Sequence, residues 1–119
     1  MRPKRVLVLN DIWEDAASLA LALRMQGYEA IPTADAGALD GLIRKFHPSA
    51  LVLDVREPAG QGVRIVEDLN IRLNGPRTIC LSPAAFSPLD VRYDLFDSVL
   101  VKPVDFGQLI SAIDLEEVA

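Results

Sequence analysis

Residues 5–11 read Arg-Val-Leu-Val-Leu-Asn-Asp (RVLVLND). The apolar run within it, Val6 to Leu9, is continuous rather than alternating. Such a run marks a strand buried on both faces. Three similar runs follow: Ala50–Leu53 (ALVL), Thr78–Leu81 (TICL) and Ser98–Val101 (SVLV). A weaker strand spans Tyr28–Pro32 (YEAIP), where Pro32 predicts a sheet edge or a strand end.

Helical patterns fill the intervals. Ala16, Leu19, Ala20 and Leu23 share one helix face, and Gly27 can close that helix. Leu39, Leu42, Ile43 and Phe46 repeat at i, i+3, i+4 and i+7 before His47-Pro48 stops the run. Ile65, Val66, Leu69 and Leu73 precede the breaker Asn74-Gly75-Pro76. Ser87-Pro88-Leu89-Asp90 reads as a capped start of a short helix carrying Leu89, Tyr93 and Phe96 on one face. Phe106, Leu109, Ile110 and Ile113 form the last stripe. Strict alternation of strand and helix with right-handed crossovers predicts a three-layer α/β fold, (βα)5, with helices on both faces of a parallel sheet. Five strands in a chain of this length suit the flavodoxin-like order 2-1-3-4-5.

The 119 residues make one domain, 1–119, able to bury a core without staples. A single cysteine excludes a disulfide framework and an all-Cys zinc site. A net charge of −5 argues against nucleic acid as the main partner. The basic start, MRPKR, precedes too short an apolar stretch for a signal peptide, and no run approaches the roughly 20 apolar residues of a spanning helix. The expectation is a cytoplasmic protein, no membrane association, a reduced and buried Cys80, and no room for an effector domain beside the first.

In a sheet of this order, ligands bind outside the carboxyl ends of the strands, at the switch point between strands 1 and 3. Strand 1 ends in Asn10-Asp11, strand 3 in Asp54, strand 4 in Ser82 and strand 5 in Lys102-Pro103. Two carboxylates, an amide, a hydroxyl and an ammonium are thus predicted on one rim. Converging carboxylates repel unless a cation or proton lies between them. Oxygen donors suit a hard cation such as Mg2+. A phosphoryl group would explain Lys102 and Ser82 together, and a carboxylate can act as nucleophile toward phosphorus. Each residue also has a plainer reading: aspartates cap helices, and lysines sit on surfaces.

The segments VLVLND (Val6–Asp11), LVLDVREPAGQG (Leu51–Gly62), TICLS (Thr78–Ser82) and VLVKP (Val99–Pro103) are in the order and spacing of a known family. Across its full length the chain resembles the receiver domain of two-component response regulators. The resemblance implies that Asp54 accepts a phosphoryl group from a sensor histidine kinase or a histidine phosphotransfer protein. It implies a Mg2+ ion on Asp11, Asp54 and the backbone carbonyl of Arg56, with Asn10 reaching it through water. It implies that Ser82 and Lys102 act on the phosphoryl oxygens, and that Lys102-Pro103 is commonly a cis peptide. Such a domain is a phosphoacceptor rather than a conventional enzyme. Its partners would be the phosphodonor, an unidentified downstream protein and, in some family members, a second copy as a homodimer.

Several positions depart from the family pattern, among them Leu95-Phe96 where Gly-Ala often precedes the last strand, in a segment from Ser82 to Lys102 that is a couple of residues short. Asn10 stands where an acid is usual, removing one negative charge. Pro83 follows Ser82 where a small residue is usual, and Val99 occupies the position of the switch aromatic. Asn10 and the altered fourth helix support a different reading, a phosphorylation-independent pseudo-receiver that serves as an interaction module; a further alternative is the receiver fragment of a longer regulator or hybrid kinase. Trp13, two residues beyond Asp11, reads as a packed surface aromatic or, by its nearness in sequence, as a lip over the site, and His47 is expected as a cationic closure of its helix.

Overall fold

The computed structural model describes residues 4–54, 62–69, 75–83 and 95–115. Five strands form one parallel sheet: β1 (Arg5–Asn10), β2 (Glu29–Thr33), β3 (Ala50–Asp54), β4 (Arg77–Ser82) and β5 (Ser98–Val101). Their order is β2-β1-β3-β4-β5, as the alternation of runs and stripes predicts. Four α-helices are described: α1 (Trp13–Met25), α2 (Leu39–Phe46), α3 (Val63–Leu69) and α4 (Phe106–Asp114). The helix expected around Leu89 and Tyr93, the Asn74-Gly75-Pro76 breaker's first residue and the Arg56 and Pro58 positions lie outside the described residues.

The continuous apolar runs are explained by the two cores. Val6, Val8, Ala50, Val52, Ile79 and Leu81 face one way, against Ala16, Ala20 and Leu23 of α1 and Leu109, Ala112 and Ile113 of α4. Leu7, Leu9, Leu51, Leu53 and Cys80 face the other way, against Leu39 of α2 and Val63, Ile65 and Val66 of α3. Period-two alternation of side chains sends successive residues to opposite faces. With helices on both, neither face can be polar. Leu7, Leu9, Leu51 and Leu53 are all fully buried, and each contributes roughly 2 kcal/mol of burial. Alanines at 16, 20 and 112 are the small helix residues of the first core, and they let α1 and α4 approach the sheet closely.

The ends of the elements follow local chemistry. Gly27 takes φ 99° after α1, a left-handed position that glycine occupies without a Cβ clash. His47 closes α2 by a different route from the charge-based expectation. It adopts φ 51° and ψ 58°, and its N–H donates to the Ile43 carbonyl at 3.0 Å. The residue is therefore a left-handed backbone cap, a role usually given to Gly or Asn. Asp105 caps α4, accepting hydrogen bonds from the N–H groups of Gly107 (2.7 Å) and Gln108 (3.3 Å). Pro32 lies within β2, an edge strand, where a missing N–H costs no central ladder bond. Strands β1, β3 and β4 each run one residue beyond their apolar stretch at the carboxyl end, to Asn10, Asp54 and Ser82. That extension carries the polar residues into the ladder and so fixes where the rim stands.

Candidate functional site at the carboxyl ends of the strands

Asn10 and Asp54 are register partners at the ends of β1 and β3. The Asn10 Nδ2 donates a hydrogen bond to Asp54 Oδ2 at 3.1 Å. Its Oδ1 accepts from the backbone N–H of Ile12 at 2.9 Å, which holds the turn leading into α1. On the other side, Lys102 Nζ lies 2.5 Å from Asp54 Oδ1. The two oxygens of one carboxylate therefore have different partners, an amide and an ammonium. The Asp54 side chain is only 17% exposed and Lys102 is 42% exposed. Partial burial makes the pair stronger than a fully solvated one.

Lys102 is set by the backbone around it. Its N–H donates to the Ser82 carbonyl at 2.8 Å, continuing the β4–β5 pairing past the last residue of β5. The Lys102–Pro103 peptide is cis. Asp54 in turn ends β3 between β1 and β4, the switch point of the topology.

Two clefts open beside this pair. The smaller, about 330 Å3, is lined by Asn10, Asp11, Ile12, Asp15, Asp54, Pro83 and Lys102. The larger, about 480 Å3, shares Asn10, Asp15, Asp54 and Lys102 and runs on to Leu19, Phe106 and Leu109, between α1 and α4. The sequence-predicted residues Asn10, Asp11, Asp54 and Lys102 are thus brought together. Arg56 lies outside the described residues. Ser82 is fully buried at the end of β4 and is not among the cleft-lining residues described. Its Oγ lies 3.4 Å from the Pro83 carbonyl, a long donor–acceptor contact.

The expected lip, Trp13, is replaced by its neighbour. Ile12 lines the smaller cleft, whereas Trp13 is 53% exposed and outside the lining of both. The physical reason is the start of α1 at Trp13, where the helical turn carries the indole off the rim. Asp15 is the residue that sequence reasoning missed. It stands four positions beyond Asp11, in the first turn of α1, a place where an acid is readily read as a favourable helix-end charge.

Cys80 lies under the site rather than in it. Burial pushes its thiol up to about 12, the Asp54 charge adds to that shift, and Lys102 opposes it. A thiol of that kind is a packing group rather than a nucleophile. The cleft's donors are carboxylate and amide oxygens, which suit a hard cation. Among the described residues, no three His, Cys, Asp or Glu side chains converge as a metal cage. A cation here would keep part of its water shell. Among the described residues, no helix is long and apolar enough to cross a membrane.

Known proteins resemble the chain in sequence and in fold. No protein-family model matches the chain. The transcriptional regulatory protein PrrA of Mycobacterium tuberculosis (strain ATCC 25618 / H37Rv) is 32% identical over 113 residues, which cover 92% of this chain and 48% of PrrA. The transcriptional regulatory protein PdtaR of Mycobacterium tuberculosis (strain CDC 1551 / Oshkosh) is 30% identical over 118 residues, 95% of this chain and 56% of PdtaR. The chain therefore spans about half the length of the curated relatives it matches. Among solved structures, FixJ-N has a TM-score of 0.80 at 22% identity, covering 99% of this chain and 100% of that one. A CheY-like response regulator receiver domain from Methylobacillus flagellatus has a TM-score of 0.75 at 20% identity, covering 94% and 99%. In sequence, over about half the length of these regulators, and in fold, the chain matches a receiver domain of response regulators.

Proposed function

We propose that the chain is a magnesium-dependent phosphoacceptor that takes a phosphoryl group from a phosphohistidine onto Asp54. The observation that carries this reading is the position of Asp54: at the switch point, 2.5 Å from Lys102 and open to a cleft that also holds Asp11. An Asp54 oxygen attacks phosphorus and the O–P bond forms. The N–P bond of the donor breaks, and its electron pair leaves on the imidazole. Lys102 counters the charge on the transferred oxygens, where an ammonium in a part-buried site is most effective. The Asn10 amide orients Asp54 beforehand through its 3.1 Å hydrogen bond.

Asp11 and Asp54 fit a magnesium ion by donor chemistry, with the Arg56 carbonyl as a third ligand and the second lone pair of Asn10 Oδ1 available to a metal-bound water. When bound, the ion neutralises phosphoryl oxygens and the paired carboxylates. Ser82 contacts the phosphoryl group only after its hydroxyl turns from its present partners. Phosphorylation then biases the surface around Ser82 and Pro83, and a downstream protein reads the change. The donor is a sensor histidine kinase or a histidine phosphotransfer protein, and the compartment is the cytoplasm.

Asn10 favours a second reading, a pseudo-receiver that binds its partner without phosphorylation, because a neutral residue at this position weakens the pull on a cation. Beryllofluoride with Mg2+ separates the two. The phosphoacceptor shows new amide shifts around Asp54 and Lys102 that require both reagents. A spectrum unchanged by them overturns the phosphoacceptor reading.

A further inference from the structure

Helix α1 buries one side only. Ala16, Ala20 and Leu23 are its buried residues, packed against the sheet. The opposite side of such a helix ordinarily carries polar residues. Here it carries Leu21 (55% exposed) and Met25 (77% exposed), with the exposed Trp13 at its start. Among the described residues the exposed large apolar side chains are Ile12, Trp13, Leu21, Met25, Val101 and Leu115, so four of the six belong to this helix or to the residue before it. At 3.6 residues per turn, Trp13, Ala17, Leu21 and Met25 follow one stripe, flanked by Glu14 in the first turn and Arg24 in the last. Grouped apolar side chains with a charged rim mark a contact surface.

The charges on this stripe point to its occupant. Glu14 and Arg24 stand about 15 Å apart along the helix axis. A partner must present a cation and an anion at the same spacing in reverse order. A second copy of α1 laid antiparallel does so by its own sequence: Glu14 meets Arg24 at one end, and Arg24 meets Glu14 at the other. The same two-fold sets Ala17 opposite Leu21, a small residue against a large one. It also sets Trp13 opposite Met25, an aromatic ring against a thioether. A parallel pairing would bring like charges together at both ends and align the two helix dipoles. Arg24 is held in place by its Nε, which donates to the Ala30 carbonyl at 2.8 Å, so little side-chain freedom is lost when its other N–H groups meet a carboxylate.

We propose that the outer face of α1 is a self-complementary interface through which two copies of the chain form an antiparallel, two-fold dimer. None of Trp13, Glu14, Ala17, Leu21, Arg24 and Met25 lines either cleft, so the pairing stands apart from the phosphoacceptor reading. A helix of 13 residues is about 20 Å long, and a contact along it falls in the small, weak class of interfaces, below about 1,200 Å2. Half-dimerisation is expected at on the order of 100 µM.

The test is sedimentation equilibrium of the full chain from about 10 µM to about 1 mM, a range that brackets such an affinity. The wild type is expected to pass from monomer to dimer across it. Leu21→Glu is expected to stay monomeric with its urea-unfolding midpoint little changed, since residue 21 is exposed. Glu14→Arg and Arg24→Glu are each expected to weaken association by about 5- to 30-fold, and an equimolar mixture of the two to associate again, because each then meets the opposite charge on the other. A wild-type chain that is monomeric throughout overturns the proposal and leaves the stripe to a different protein. A dimer unaffected by Leu21→Glu overturns it as well, since the contact then lies elsewhere. Unchanged association in both charge variants, or a mixture no more associated than either alone, contradicts the antiparallel pairing.

Discussion

The Asn10 amide donates to the Asp54 carboxylate at 3.1 Å, across strands whose register sets the two residues side by side. An acid at position 10 would turn that donor into a second acceptor. Asn10→Asp is therefore expected to destabilise the metal-free chain by about 1–3 kcal/mol, through the lost hydrogen bond and the repulsion between neighbouring carboxylates. Added Mg2+ should recover most of the loss. Urea unfolding with and without Mg2+ measures both. A variant as stable as the wild type in metal-free buffer would show that the bridge contributes nothing.

A second polar pair lies at the far end of the sheet. Thr78 is fully buried, and Asp97 accepts from both its N–H (2.8 Å) and its hydroxyl (3.1 Å), while the Asp97 N–H donates back to the hydroxyl oxygen (3.0 Å). Asp97→Ala strands two buried donors at the start of β4. The expected cost is about 1–3 kcal/mol in urea unfolding, with magnesium affinity unchanged because the pair sits away from the clefts. A loss of magnesium binding without a loss of stability would contradict this division.

Cys80 is fully buried in the sheet core, and its thiol is raised to about 12, chiefly by that burial. Near pH 8 an aromatic disulfide should label the native chain only at the rate of transient opening. Labelling should accelerate in step with urea unfolding. Immediate labelling of the folded chain would show that β4 does not bury this residue.

Tyr28 ties the turn after α1 to the end of α4 through a 2.7 Å hydrogen bond to Asp114. Its hydroxyl is raised from 10.0 to about 12, first by burial, then by that hydrogen bond and by the Asp114 charge. A group raised on folding holds its proton more tightly in the native state. Its contribution is thus complete below pH 10 and is lost as pH climbs from 10 toward 12. Stability should fall across that window, and the fall should be shallower in Tyr28→Phe. Asp114→Asn should lower the tyrosine's titration only part of the way, since burial remains. Identical alkaline profiles for wild type and Tyr28→Phe would contradict the assignment.

The sheet was legible in the sequence because its strands are buried on both faces. Once helical stripes flank it, a continuous run such as Val6–Leu9 fits little besides a strand covered on both sides. Each strand's last polar residue then marks the rim. Asp11, Asp54 and Lys102 were found by that rule, being the polar residues that follow apolar runs. Asp15 escaped it because it lies on a helix, where an early acid has an ordinary meaning. Of the two readings of Trp13 the surface aromatic holds, since nearness in sequence, which suggested a lip, takes no account of the turn at which α1 begins. Ser82 follows its run correctly, but no pattern of residue types tells whether a hydroxyl at a strand end faces the cleft or the interior. His47 shows the same limit: its charge suggested a helix-end role, while its left-handed backbone performs it.

The central claim is that Asp54 accepts a phosphoryl group, and intact mass after incubation with a small phosphodonor and Mg2+ tests it most directly. The wild-type chain should gain the mass of one phosphoryl group, the gain should vanish without Mg2+, and Asp54→Asn should show none. A folded wild-type chain that gains no mass, or an Asp54→Asn variant that gains as much as the wild type, would contradict it.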